Sequence, residues 1–289
     1  MKLHCLFLAA SLGMSTASHA VLTAGLVGYF DFESSLTNQA AAVGSDYGGT
    51  FEDGSLTETD AITDYTVGAS GGRSGNGLNV QVAGTTGSVN GVTIPIGFGG
   101  GQDLGASFTV SSWVNLDATT ASNGSARYFV YEGLNNFDLS LSLRAVSGAA
   151  GINDIQVFTE GTSGAIAAQA TYADLATPGE WVNIVQVYAA GATNTTISTY
   201  INGTLQGTMA NANANISATG ILLGRARGGT NNRHFDGMID EVGLWNRALD
   251  QDEVTAIFTA GQNGQAIPEP AAALLGSLGL IALLRRRVR

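Results

Sequence analysis

The chain has 289 residues, 12 of them basic and 23 acidic for a net charge of −11, with 40 glycines and a single cysteine. An acidic balance of this size disfavours nucleic acid and anionic lipid and leaves neutral glycans, cations or cationic proteins as partners. One cysteine excludes a disulfide framework, and the length suffices for one large domain with a substantial core.

At the N-terminus, Lys2, the apolar run from Leu3 to Leu12 and the small residues around Ser18, His19 and Ala20 form the charged, hydrophobic and cleavage regions of a secretory signal peptide over residues 1–20. The mature chain then begins near Val21. Cys5 falls inside the leader, so no cysteine chemistry is expected of the exported protein. Setting aside Lys2 and the four terminal arginines leaves seven basic residues against 23 acidic ones, a balance of −16 with no lysine.

Residues 21–265 read as one all-β domain. Strands are predicted at Val27–Glu33, Leu78–Val82, Val92–Ile96, Ser107–Leu116, Arg127–Glu132, Phe137–Leu143, Asp154–Thr159, Trp181–Tyr188, Thr196–Ile201, Ile221–Gly224 and Phe235–Trp245. They are short, rich in β-branched and aromatic residues, and separated by Gly, Ser, Thr and Asn, as in a sandwich or barrel. Phe108, Val110, Val114 and Leu116 fall on one face with Ser112 among them, the alternation of a half-buried strand. Asn202-Gly203 predicts a two-residue type I′ hairpin between Thr199-Tyr200-Ile201 and Thr204-Leu205. Segments 34–75 and 117–126 read as loops, with Tyr47, Phe51 and Tyr65 as candidates for an exposed aromatic platform. Trp113, Trp181 and Trp245 read as core.

One helix follows Trp245. Asp250 caps it, Glu253 completes a capping box, Val254, Ile257 and Phe258 line one face, and Gly261 is expected to end it. Its expected place is a plug at one end of the sandwich.

Residues 266–289 have a different character. Pro268 and Pro270 keep the chain extended around Glu269, exposing that tripeptide to a processing enzyme. Ala271 to Leu284 is an apolar run of about 14 residues, short of the roughly 20 that a permanent transmembrane helix needs. Arg285, Arg286, Arg287 and Arg289 would hold its far end on the cytoplasmic side.

These three parts, in this order, resemble the PEP-CTERM sorting signal of Gram-negative bacteria. The resemblance implies a membrane-embedded exosortase that cuts near Pro268, Glu269 and Pro270. It also implies a transient stay in the inner membrane through the C-terminal helix, then release or transfer to the envelope, surface or extracellular matrix. The alternative is an ordinary tail anchor.

Within residues 25 to 261, Leu26–Leu36 (LVGYFDFESSL), Arg73–Val80 (RSGNGLNV), Phe108–Leu116 (FTVSSWVNL), Trp181–Tyr188 (WVNIVQVY), Thr199–Leu205 (TYINGTL) and Phe235–Leu249 (FDGMIDEVGLWNRAL) resemble the laminin-G-type, concanavalin A-like jelly rolls. That resemblance implies a β-sandwich of two antiparallel sheets, one concave, with the first and last strands side by side. Several members of that family bind calcium through acidic side chains and carbonyl oxygens. If the terminal strands are neighbours, period two puts Tyr29, Asp31 and Glu33 on one face, within reach of Asp240 or Glu241. A hard cation such as Ca2+ would suit those four carboxylates. The competing reading is structural, with Asp240 and Glu241 bonding backbone or pairing with Arg247 or Arg225.

Catalysis finds less support. Related glucanases carry their carboxylates in a Glu-x-Asp-x-x-Glu-like run, which is absent here. Asp236, Asp240 and Glu241 are the nearest approach, and strand alternation would send Asp240 and Glu241 to opposite faces. His234, the only histidine outside the leader, reads as a loop residue. Arg225, Arg227 and Arg233 make a local positive spot. The expectation is an exported, non-catalytic surface or matrix protein that binds glycan or protein. A purely structural envelope protein and a divergent glycoside hydrolase or lyase are the alternatives.

Overall fold

Phe108, Val110, Val114 and Leu116 all enter one buried interior, as their alternation requires. The computed structural model describes residues 22–36, 38–40, 52–53, 65–80, 92–94, 104–117, 127–133, 140–144, 154–160, 166–173, 177–211, 216, 220–224, 235–265 and 267. The predicted signal peptide, Pro268, Glu269 and Pro270, the apolar run after them and Arg285, Arg286, Arg287 and Arg289 lie outside the described residues. So do Tyr47, Phe51, Arg225, Arg227, Arg233 and His234.

In chain order the strands are β1 (Leu26–Phe30), β2 (Glu52–Asp53), β3 (Tyr65–Ser70), β4 (Asn76–Val80), β5 (Val92–Ile94), β6 (Phe108–Leu116), β7 (Arg127–Gly133), β8 (Ser140–Arg144), β9 (Asp154–Glu160), β10 (Ile166–Tyr172), β11 (Val182–Ala190), β12 (Thr195–Ile201), β13 (Thr204–Asn211), β14 (Ile221–Leu223) and β15 (Gly237–Trp245), followed by helix α1 (Gln251–Gln262). They form a jelly-roll sandwich of two antiparallel sheets. One sheet has eight strands in the order β13-β12-β11-β6-β15-β4-β3, with β1 also beside β15; the other has seven, in the order β10-β9-β8-β7-β14-β5-β2. The first and last strands pair antiparallel, from Leu26 opposite Trp245 to Phe30 opposite Val242.

Four strands escaped the sequence reading in whole or in large part: β2 and β3, both inside the predicted loop 34–75, β10, and most of β13. Each ends the strand order of its sheet. An edge strand covers less of the core, so its sequence needs less apolar alternation, as Ile-Ala-Ala-Gln-Ala-Thr-Tyr in β10 illustrates. The β12–β13 hairpin forms as expected, with Ile201 opposite Thr204 and positive φ at Asn202 (49°) and Gly203 (76°), the backbone of a type I′ turn.

The interior between the sheets is filled by Phe30, Phe32, Leu78, Phe108, Ile184, Leu223, Ile239 and Leu244 among others, with Phe108 stacked on Tyr188 at 4.3 Å between ring centres. A second apolar cluster covers the other face of the eight-stranded sheet. It joins Tyr29, Val185, Val187, Tyr200 and Trp245 from the strands to Leu249, Val254 and Ile257 from the helical segment.

The helix therefore lies across the outer face of that sheet instead of plugging an end, because its apolar stripe finds the outward residues of β11, β12 and β15. Its capping box is present, Asp250 Oδ1 accepting from Glu253 N at 2.9 Å and Glu253 Oε2 from Asp250 N at 3.0 Å. It runs past Gly261 to Gln262, with Asn263 as the C-cap. Gly261 serves packing: a Cβ there would stand 2.4 Å from Trp113 Nε1. Trp113 and Trp245 are buried as expected, whereas Trp181 is only half-buried and precedes β11.

Candidate functional site

Along one side β15 pairs with β6, but on the other it changes neighbours. Gly237–Ile239 pair with β4 and Val242–Trp245 with β1, so neither reaches Asp240 or Glu241. There the register against β6 slips between Asp240 and Gly243 and Glu241 adopts φ +51°, the geometry of a bulge. The bulge corrects the expectation that alternation separates these two side chains. Both carboxylates lie on the face away from the core, Glu241 against Tyr29 of the second cluster and Asp240 against the loop that precedes β4.

Asp240 stands in for the missing strand. Its Oδ2 accepts from Arg73 N at 2.7 Å and Ser74 N at 3.2 Å, and its Oδ1 accepts from Glu241 N at 2.8 Å. Three backbone donors at the sheet break are thus satisfied by one side chain, which is why an acceptor-only residue occupies the position. Glu241 Oε2 accepts from Tyr29 Oη at 2.5 Å and from Ile267 N at 3.4 Å. Among the described residues its Oε1 is buried without a partner.

Asp240 is 0 % exposed and Glu241 3 %. Burial pushes the Asp240 carboxyl up to about 7 against the pull of its N–H donors, with Glu33 adding to the rise. Burial likewise lifts Glu241 to about 8; the Tyr29 bond opposes this, while the Asp240 and Asp31 charges reinforce it. Tyr29 is itself pushed well above its ordinary range, by burial first and the Glu241 charge second.

The four predicted carboxylates are brought to one region without forming a ligand set. Asp31 Oδ1 accepts from Glu33 N, and Glu33 Oε2 accepts from Asn76 N. Among the described residues no group of three carboxylate, histidine or cysteine side chains gathers as a metal site. Both Asp240 oxygens and Glu241 Oε2 already face hydrogen donors, so the arrangement does not fit a calcium cage, whose oxygens must face the ion. It supports the structural alternative for this pair. Arg247, offered as their partner, instead grips Glu253, at 2.5 Å and 2.8 Å.

Arg73 and Ile267, which were not singled out from sequence, and Trp113, read there only as core, carry the site with them. Trp113 lies opposite Asp240 on β15 and Asn183 on β11. Phe258 of α1 stacks on its ring at 5.8 Å, and the Arg73 guanidinium sits 4.5 Å from its centre. Arg73 belongs to a Gly-Arg-Ser-Gly stretch that reads as an ordinary turn; only the break between β4 and β1 gives its amide a role.

A family described as the concanavalin A-like lectin/glucanases superfamily, of the Laminin_G_3 type, matches residues 86–255. No curated protein is significantly similar in sequence to the chain. Solved structures share the fold at low identity. The botulinum neurotoxin type G receptor binding domain is 14 % identical with a TM-score of 0.56, over 82 % of this chain and 51 % of its own. The binding domain of Paraclostridial Mosquitocidal Protein 1 is 15 % identical with a TM-score of 0.57, over 83 % and 53 %. The botulinum neurotoxin serotype D ligand binding domain in complex with N-acetylneuraminic acid is 10 % identical with a TM-score of 0.55, over 84 % and 52 %. The chain spans about half the length of each.

Proposed function

We propose, since the chain belongs to the concanavalin A-like lectin/glucanase superfamily, that its sandwich is a non-catalytic recognition domain for an extracellular glycan or protein. The observation that carries this reading is the state of Asp240 and Glu241, the nearest approach to a catalytic carboxylate pair. Both are buried and engaged by N–H and O–H donors that hold the sheet break together. Glycoside hydrolysis requires carboxyl groups open to the sugar on both sides of the scissile bond. Solved structures that share the fold are receptor and ligand binding domains, one of them in complex with N-acetylneuraminic acid, and they support the same reading.

Delivery completes the proposal. The leader over residues 1–20 exports the chain, and an exosortase acts at Pro268, Glu269 and Pro270 after the apolar segment and its four arginines have engaged the inner membrane. The domain then functions at the envelope, surface or extracellular matrix.

A glycan array carrying neutral and sialylated sugars, probed with the exported protein, tests the recognition role, and binding to at least one class is expected. Absence of binding to any glycan or surface protein would leave a purely structural envelope component. Turnover of laminarin, agar or alginate that is lost with Asp240→Asn or Glu241→Gln would replace the proposal with a hydrolase or lyase. Replacing Glu269 by Ala in the exporting cell tests the route: processing should stop.

A further inference from the structure

The two ends of the described chain meet at one indole. Trp245 Nε1 donates to the Leu22 carbonyl at 2.7 Å. The far edge of the same ring lies over Gly243, where a Cβ would stand 2.5 Å from Trp245 Cη2 and 3.0 Å from Ile267 Cδ1. Leu22 is 2 % exposed and Ile267 4 %. Position 243 must therefore lack a side chain for Ile267 to seat beside Trp245.

Ile267 is held by its backbone as well. Its N–H is shared between Tyr29 Oη at 3.2 Å and Glu241 Oε2 at 3.4 Å. The path from the helix is pinned before it: Gln265 N donates to Ala260 O and Gly264 N to Gly261 O, each at 3.0 Å, and Ser74 Oγ donates to Gly264 O at 3.1 Å. The next residue is Pro268, which supplies no N–H and restricts Ile267 to an extended backbone. The tripeptide thus follows a buried anchor with no spacer between them.

We propose that Ile267, seated between Tyr29, Glu241 and Trp245, is an autoinhibitory anchor that restrains cleavage at Pro268–Glu269–Pro270. This rests on the sorting reading of that tripeptide. A peptidase that binds its substrate extended needs residues on both sides of the cut, and Ile267 and its N–H are buried in the domain while docked. Processing then waits on release of Ile267, and the anchor sets its rate.

The test uses the full chain. Amide hydrogen exchange on the purified protein should show the Gln265 and Ile267 amides protected, and Ile267→Ala and Tyr29→Phe should each raise their exchange rate while the β6 and β11 amides stay protected. Exchange of the Gln265 and Ile267 amides at the rate of an unstructured peptide in the unmodified protein would overturn the docking. In the exporting cell, Ile267→Ala should be processed about tenfold faster, equivalent to roughly 1.4 kcal/mol of lost docking; an unchanged rate would overturn the restraint. Glu269→Ala separates the two claims. Normal processing of that variant would overturn the sorting reading and the restraint together, whereas the exchange result judges the docking alone.

Discussion

Tyr29 Oη donates to Glu241 Oε2 at 2.5 Å, joining the first strand of the sandwich to the last across 212 residues of sequence. The bond lies where β15 trades one neighbour for another, so it replaces backbone pairing that the sheet lacks at that point. Tyr29→Phe keeps the ring in the outer cluster and removes only the hydroxyl. It should lower stability by about 1–3 kcal/mol, because the buried Glu241 carboxyl and the Ile267 N–H each lose a partner. Urea denaturation measures this, and an unchanged midpoint would show that the hydroxyl contributes nothing.

The pH dependence follows from two buried carboxyls whose folded values are raised. Asp240 moves from 3.8 to about 7 and Glu241 from 4.5 to about 8. The folded state holds these protons more tightly than the unfolded chain, so the stability they contribute is complete below about pH 4. It is lost progressively as pH rises through 7 to 8. The melting temperature should fall between pH 5 and pH 9, and Glu241→Gln, which stays neutral, should flatten the curve. A melting temperature that rises across this range would refute the assignment.

Arg247 holds the helix N-terminus through two bonds to Glu253 and the turn before β1 through Nε to Ala24 O at 2.7 Å. Arg247→Ala leaves the nearly buried Glu253 carboxylate with the Asp250 N–H as its donor and frees the segment before Leu26. A loss of about 1–2 kcal/mol is expected, discounted because the arginine is partly exposed. Calorimetric melting reads it, and Arg247→Lys should restore less than half, since an ammonium does not reproduce the two-pronged contact.

Gly261→Ala suits the helix interior and would ordinarily help it. Here the added methyl would meet the Trp113 indole at 2.4–2.6 Å, and the helix must lift off the sheet. The variant should lose about 1–3 kcal/mol as an overpacked site and alter tryptophan fluorescence. Greater stability than the parent would show that the helix is not seated on Trp113.

Calcium titration of the chelated protein should produce no heat and no rise in melting temperature, because both Asp240 oxygens and Glu241 Oε2 are already taken by hydrogen donors. A rise at millimolar calcium would reinstate Asp31, Glu33, Asp240 and Glu241 as a cation site.

The amino-acid sequence by itself determined the all-β class, most of the central strands, the Asn202-Gly203 hairpin and the capped helix. Each of these is written in local signals: alternation, positive φ tolerated at a turn, and side chains that reach only three residues along the chain. Tertiary structure alone decided what the carboxylates do. Whether Asp240 and Glu241 share a face depends on a bulge, and the bulge depends on which strands flank β15 on each side, a fact carried by residues 26–30 and 76–80. The same holds for the edge strands, which bury too little to need a pattern, and for Gly261 and Ile267, whose roles exist only because Trp113 and Trp245 stand opposite them. Local backbone preference is legible one segment at a time; contacts between distant segments come into being only when the sheets close.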